Sequence, residues 1–408
     1  MLRRGFLITI TAVLIAAPAV SQQGPVRRKP RTRSHRTRPR PPAPKPIAPP
    51  KPLVPAEPSA EIQARPELLR RPLPKERRLS RGRWNPLVAD ALERILEYAG
   101  ENDPAYTPAN PPVAVFTLDD GLVNGDLGQA LFNRLTRRAE FKFIPAFWAL
   151  IPQQYGRARI EAGYRGFQGT PPASWPNDPY YRMYRKGMLR AYRSICETAG
   201  RPACGRWIAS LLIGFEEREL RRYAQETLIE ELDRPVGFDD IGDTPEDPKP
   251  EPERRGIRMI PEMLELLQAL RGQGIDVWVL SDTNDWAAKV FAGAYGVHPS
   301  RVVGMRVKVS DEMITGESLI PTPLGSGAAE AVTMFIGRSP VLTVSSEENE
   351  ELLAWGRGVR VVLTRSPPDR KTESRWRGRG WLLQPAFSAV RAPQRLPGSA
   401  QPESGETP

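Results

Sequence analysis

The sequence predicts an α/β fold: a doubly wound parallel sheet with a helical domain inserted into it. Two observations carry that prediction. Short, wholly apolar strands alternate with helical patterns, as in a sheet covered on both faces. One connection, over residues 124–256, is far too long for a crossover and is helical in pattern and rich in aromatics. The ends of the chain are of different composition and are treated first.

Arg3 and Arg4 precede an apolar run over residues 5–20, with small residues at Ala17, Ala19 and Ser21. A positive start, a short apolar stretch and a small-residue exit predict a cleaved signal peptide over residues 1–21. The run is at the lower edge of bilayer-spanning length and is interrupted by Pro18, which disfavours a membrane anchor. Arg3-Arg4-Gly5-Phe6-Leu7 also resembles a twin-arginine export signal. The expected location is periplasmic or extracellular, and no transmembrane segment is expected in the mature chain.

Residues 22–85 hold 18 Lys or Arg, 4 Glu, no Asp and 15 prolines. Such density favours extended polyproline conformations and denies a packed core, so a disordered basic linker is expected. Of the chain's net +12, this stretch carries +14 and Arg3 with Arg4 add +2, leaving residues 86–408 at −4. The basic character therefore belongs to the arm. The arm reads either as a solvated linker or as a segment attracted to anionic cell-envelope material; export argues against nucleic acid. The only two cysteines are Cys196 and Cys204. An oxidising compartment permits a disulfide between them, two unpaired thiols being the alternative.

In the folded part, Val113-Ala114-Val115-Phe116 is the first buried strand, followed by Asp276-Val277-Trp278-Val279-Leu280-Ser281, Pro340-Val341-Leu342-Thr343-Val344 and Val359-Arg360-Val361-Val362-Leu363. Helical patterns occupy residues 261–271, 286–295, 328–336 and 349–355. Right-handed crossovers then place a site at the carboxyl edge of the strands. A core over residues 86–123 and 257–390 is expected, with 124–256 inserted as a helical cap. Residues 239–255 read as an exposed acidic loop, and residues 391–408 as a disordered tail.

Val115-Phe116-Thr117-Leu118-Asp119-Asp120-Gly121, the strand ending in Ser281, Gly325-Ser326-Gly327-Ala328, and Ser345-Ser346-Glu347-Glu348-Asn349-Glu350 follow one another in a recognisable order. Together they resemble the four motifs of the haloacid dehalogenase superfamily, in its phosphoserine-phosphatase-like branch. The resemblance implies a Rossmann-like core and a cleft between core and cap. It also implies a chemistry in which an aspartate attacks phosphorus, a second carboxylate moves a proton, and Mg²⁺, a hydroxyl and a lysine hold the phosphoryl oxygens.

Matched residue by residue, the nucleophile position holds Thr117, which supplies neither a ready nucleophile nor a negative charge. Asp119 keeps the acid/base position, Ser281 the phosphate-binding hydroxyl and Gly327 the turn of the third motif. Ala328 replaces the lysine. Ser346 and Glu350 occupy the metal-ligand positions. Asp282, beside Ser281, is a second carboxylate able to enter the cleft; Asp120, Glu347 and Glu348 read as solvated turn carboxylates. His35 and His298 have no partners suggesting a catalytic triad or a zinc site.

A pseudo-phosphatase retaining a cleft for a small anionic or phosphorylated ligand, with no cofactor, is the expected function. The alternatives are a Mg²⁺-dependent phosphomonoester hydrolase using Asp119 or Asp282, and an envelope-binding structural protein acting through the basic arm.

Overall fold

A computed structural model describes residues 67–396 apart from 243, 245 and 246. The expected signal peptide and most of the basic arm lie outside these residues. The last stretch assigned to the linker is folded. A 3-10 turn at Glu67–Arg70 leads to Leu79 and Trp84, both buried. Ser80 bonds to the Glu265 carboxylate, Arg83 pairs with Glu262, and Trp84 packs edge-on against Phe387. The linker assignment is corrected to that extent: the apolar Leu79 and Trp84 anchor a segment whose charge and proline content alone suggested solvation.

Helix α1 (Pro86–Tyr98) starts at an Asn85 cap with proline at its first position and buries Val88, Leu92 and Ile95 against the core. Strand β1 (Val113–Thr117) is buried along its whole length. Beyond it, β2 (Val123–Asn124) opens the insert, comprising α2 (Leu127–Arg137), α3 (Pro145–Ala149), α4 (Arg157–Phe167), α5 (Pro179–Ala199), α6 (Arg201–Ser210), α7 (Glu217–Asp233) and a hairpin of β3 (Gly237–Ile241) and β4 (Glu251–Arg255). Strand β5 (Arg258–Met259) pairs antiparallel with β2, so the chain leaves the core and returns to it at one place.

The core resumes with α8 (Pro261–Gly272), β6 (Asp276–Asn284), α9 (Asp285–Gly293), β7 (Val302–Met305) and a small hairpin of β8 (Val307–Ser310) and β9 (Met313–Ser318). It ends with α10 (Ala328–Ala331), β10 (Leu342–Ser346), α11 (Glu350–Ala354), β11 (Val359–Thr364), α12 (Arg370–Gly378) and β12 (Leu382–Pro385). The helix expected over 328–336 is divided, continuing past α10 as a π turn over Val332–Ile336.

The main sheet has six strands in the order β12-β11-β10-β1-β6-β7, and its pairings are parallel. This is the α/β class the sequence predicts. Strand alternation divides the core between the two faces: Val113 and Val115 pack with Ala328 and Val332, Ala114 and Phe116 with the larger cluster on the other side. Because β1 lies between β6 and β10, successive crossovers run outward on either side of it. The crevice of such a sheet opens at the carboxyl end of β1.

The cap is held by its aromatics. Phe143 stacks on Tyr164 at 3.8 Å, and Phe132, Phe147, Phe167, Tyr184 and Trp207 extend the cluster. The exposed loop expected over 239–255 is the β3–β4 hairpin. Its Glu251 and Glu253 are buried and paired with Arg190, Arg193, Arg137 and Arg185 of the cap helices. Their charges are matched by arginines distant in sequence, so local acidity misrepresented their burial. The first residues of the tail expected over 391–408 are bound to the core, since Gln394 accepts from the Met259 amide at 2.8 Å and donates to its carbonyl at 3.2 Å; residues 397–408 lie outside the described residues.

Candidate functional site

At the carboxyl end of β1 the backbone makes a tight turn. Asp120 takes a left-handed conformation (φ 51°). A side chain at Gly121 would bring its Cβ within 2.1 Å of the Thr117 carbonyl, so only glycine closes the turn. Thr117 is wholly buried, and its hydroxyl accepts from Ser345 Oγ at 3.3 Å.

Asp119 does not project freely into a cleft. One of its oxygens accepts from the Leu127 amide at 2.7 Å; the other accepts from Ser281 Oγ at 2.7 Å and Thr283 Oγ1 at 3.1 Å. Burial pushes its pKa well above the usual carboxylate range, and the charges of Asp126 and Asp282 push the same way. Sequence and structure therefore agree that Asp119 and Ser281 come together, but the two satisfy one another. Gly327 lies in a turn against Thr322, where an added Cβ would meet that residue's carbonyl and hydroxyl at 2.5 Å; its retention is explained by packing.

The residue that organises the site had no motif to reveal it. Arg201, the first residue of α6, reaches from the cap to the sheet edge. Its guanidinium donates to Asp120 at 2.9 Å, Asp126 at 2.8 Å and Asp282 at 3.3 Å, and lies 3.3 Å from Glu348. These carboxylates come from the loops after β1, β2 and β10 and from β6. Burial opposes the charge on Arg201, yet the carboxylates outweigh it and strengthen its hold on the proton. Burial also raises the pKa of Asp126, the N-cap of α2, against the pull of Arg201.

Arg365, just past β11, adds a second cation. It pairs with Asp120 and, at 3.0 Å, with Glu348. Asp120 and Glu348, expected as solvated turn carboxylates, are thus ion-paired. The Cys196–Cys204 disulfide encloses Arg201 in its loop, and Gly205 sits so close that a Cβ there would lie 2.7 Å from the Asp282 carbonyl. The only sequence signal for Arg201 was its position between two cysteines at a helix start.

These residues do not fit Mg²⁺, which wants several unencumbered oxygen ligands. Thr117 and Ser346 supply hydroxyls where carboxylates are needed, and Ser346 Oγ accepts from Asn349 at 3.1 Å. Glu350, expected at a metal-ligand position, instead turns to Arg375 at 2.5 Å and Arg379 at 3.7 Å on the outer face. Asp120, Asp282 and Glu348 are engaged by arginine. Among the described residues no group of three or more His, Cys, Asp or Glu is arranged to hold a metal ion.

Residues 176–334 match the family model of the haloacid dehalogenase-like hydrolases. That span contains β6 and the Gly325 turn but neither β1 nor the fourth motif. No curated protein matches the sequence. A conserved, functionally unknown protein from Anaerococcus prevotii DSM 20548 shares the fold with a TM-score of 0.65 at 20% identity, over 76% of this chain and 94% of that one. A protein of unknown function from Bordetella pertussis Tohama I aligns over 67% of this chain and 98% of its own, at 16% identity and a TM-score of 0.41. A phospho-aspartyl intermediate analogue of phosphoserine phosphatase aligns over 64% and 90%, at 14% identity and a TM-score of 0.33.

Proposed function

We propose that this chain, which matches the haloacid dehalogenase-like hydrolase model over residues 176–334, is a non-hydrolysing member of that superfamily whose former catalytic edge now joins cap to core. The observation that carries the proposal is Thr117. A hydroxyl with no adjacent base stands at the position of the attacking carboxylate, fully buried and bonded to Ser345.

Three further features support the same conclusion. Asp119 is committed to three donors. The phosphate-binding lysine is replaced by Ala328, which is buried in the core. The carboxylates that surround the edge are neutralised by Arg201 and Arg365 rather than left for a metal. Removing one preorganised charge-stabilising donor costs an enzyme about 10²–10³ in rate; here nucleophile, lysine and metal carboxylate are all changed.

The leader pattern and the Cys196–Cys204 bond support export. Among the described residues no helix is long and apolar enough to cross a membrane. Turnover of a panel of phosphomonoesters by the purified chain with Mg²⁺ is the direct test. No turnover above a protein-free blank is expected. Mg²⁺-dependent hydrolysis that disappears in Asp119→Asn would overturn the proposal.

A further inference from the structure

We propose that a recess beside the cap hinge binds a small organic oxyanion: one carboxylate or phosphate group carried on a short apolar stem. The recess has a volume of about 160 Å³ and is formed by both domains. Arg254 of β4 comes from the cap; Asp120 and Arg365 come from the carboxyl edge of the sheet; Ile260, Leu363 and Phe387 supply apolar wall.

Arg254 is the observation that singles this recess out. It is half-buried, and among the described residues its guanidinium has no acceptor. Its surroundings make that unusual. Arg255, next in the strand, pairs with Asp239; Arg185 and Arg137 pair with Glu253, and Arg190 with Glu251. The Arg254 guanidinium, partly exposed and uncommitted, is therefore free to meet an anion that enters the recess.

The other charges in the recess do not repel such a visitor. Asp120 accepts from both Arg201 and Arg365, so its negative charge is already countered. Arg365 uses two of its terminal nitrogens on Asp120 and Glu348, and a guanidinium has five N–H groups to offer. The wall is therefore net positive on one side. On the other, Ile260, Leu363 and Phe387 line the recess with apolar atoms, against which a stem of a few carbons can lie. One charged group fixed by arginine beside an apolar wall is the ordinary composition of a small-molecule site.

This recess is separate from the position of the vanished phosphatase chemistry. Thr117 and Ser281 are wholly buried and do not line it. The inference therefore stands whether or not the chain hydrolyses phosphomonoesters.

The test is binding to the full mature chain by calorimetry and thermal shift, using benzoate, phenyl phosphate, inorganic phosphate and the neutral benzamide. Benzoate or phenyl phosphate should bind saturably and raise the melting temperature. The tighter of the two tells whether the natural group is carboxylate or phosphate. Inorganic phosphate, lacking the stem, and benzamide, lacking the charge, should each bind at least about tenfold more weakly. Arg254→Ala should weaken binding by about tenfold or more, while Arg255→Ala, which removes a neighbour already paired, leaves it unchanged. Should Arg254→Ala fail to fold, Arg254→Gln serves in its place. Absence of binding by both organic anions overturns the proposal; so does equal affinity for benzamide, or undiminished affinity in the Arg254 variant.

Discussion

Thr117 and Asp119 differ in how readable they were. The chemistry missing at position 117 could be seen in the sequence, because a threonine cannot become a carboxylate whatever surrounds it. The state of Asp119 could not, because it depends on Thr283 and the Leu127 amide, which no motif connects to it. Two predictions belong here. Thr117→Asp should not restore hydrolysis, since Ala328 and Ser346 remain. It should also destabilise the fold by about 3 kcal/mol or more, by placing a second carboxylate in a fully buried position beside Asp119. Phosphatase assays and denaturant unfolding check both halves, and a variant that hydrolyses phosphomonoesters contradicts the first. Asp119 also has a signature in pH. Its folded-state pKa is raised by burial, so the native state binds that proton more tightly than the unfolded chain does. Its contribution is full below the ordinary aspartate range, about pH 4, and is lost as pH rises through the elevated folded value. Asp119→Asn keeps a neutral shape and should flatten that decline, so variant and parent should differ in the slope of unfolding free energy against pH. Parallel slopes would count against the assignment.

At the scale of elements, α6 stands out. It is ten residues long, tied by a disulfide to the end of α5, and its first residue supplies the guanidinium that four acidic side chains share. Arg201→Met should therefore destabilise the protein by about 3–5 kcal/mol at neutral pH, because it strands buried carboxylates without a cation. The loss should shrink in acid, where those carboxylates become protonated. Urea unfolding at two pH values reads this directly; an unchanged midpoint would show that the ion pairs contribute nothing. Strands and the larger helices of the core were legible because their apolar runs are local signals: β1, β6, β10 and β11 all fall where the pattern put them. The β3–β4 hairpin was not, because Glu251 and Glu253 meet their arginines from α2 and α5 only after folding.

For the whole molecule, the boundary of the folded body lies earlier than composition suggested. Leu79 and Trp84 are buried, and the segment bearing them bonds to α8 through Ser80–Glu265 and Arg83–Glu262. A chain beginning at residue 86 should be less stable than one beginning at 67, by about 3–6 kcal/mol, taking about 1.5–3 kcal/mol for each of the two large apolar side chains buried. Equal unfolding midpoints for the two would return residues 67–85 to the linker. Arg201 has a consequence at this scale as well. A divalent ion in an enzyme of this architecture is a visitor: it exchanges with solvent, and a lid can swing away while the ion stays behind. Here the positive charge is tethered to the lid itself. Any outward excursion of the cap takes Arg201 away from Asp120 and Asp282 at the same moment, leaving Asp282 without a cation and Asp120 with Arg365 alone. Closure of cap onto core is thereby reinforced by the charge that the lid itself carries.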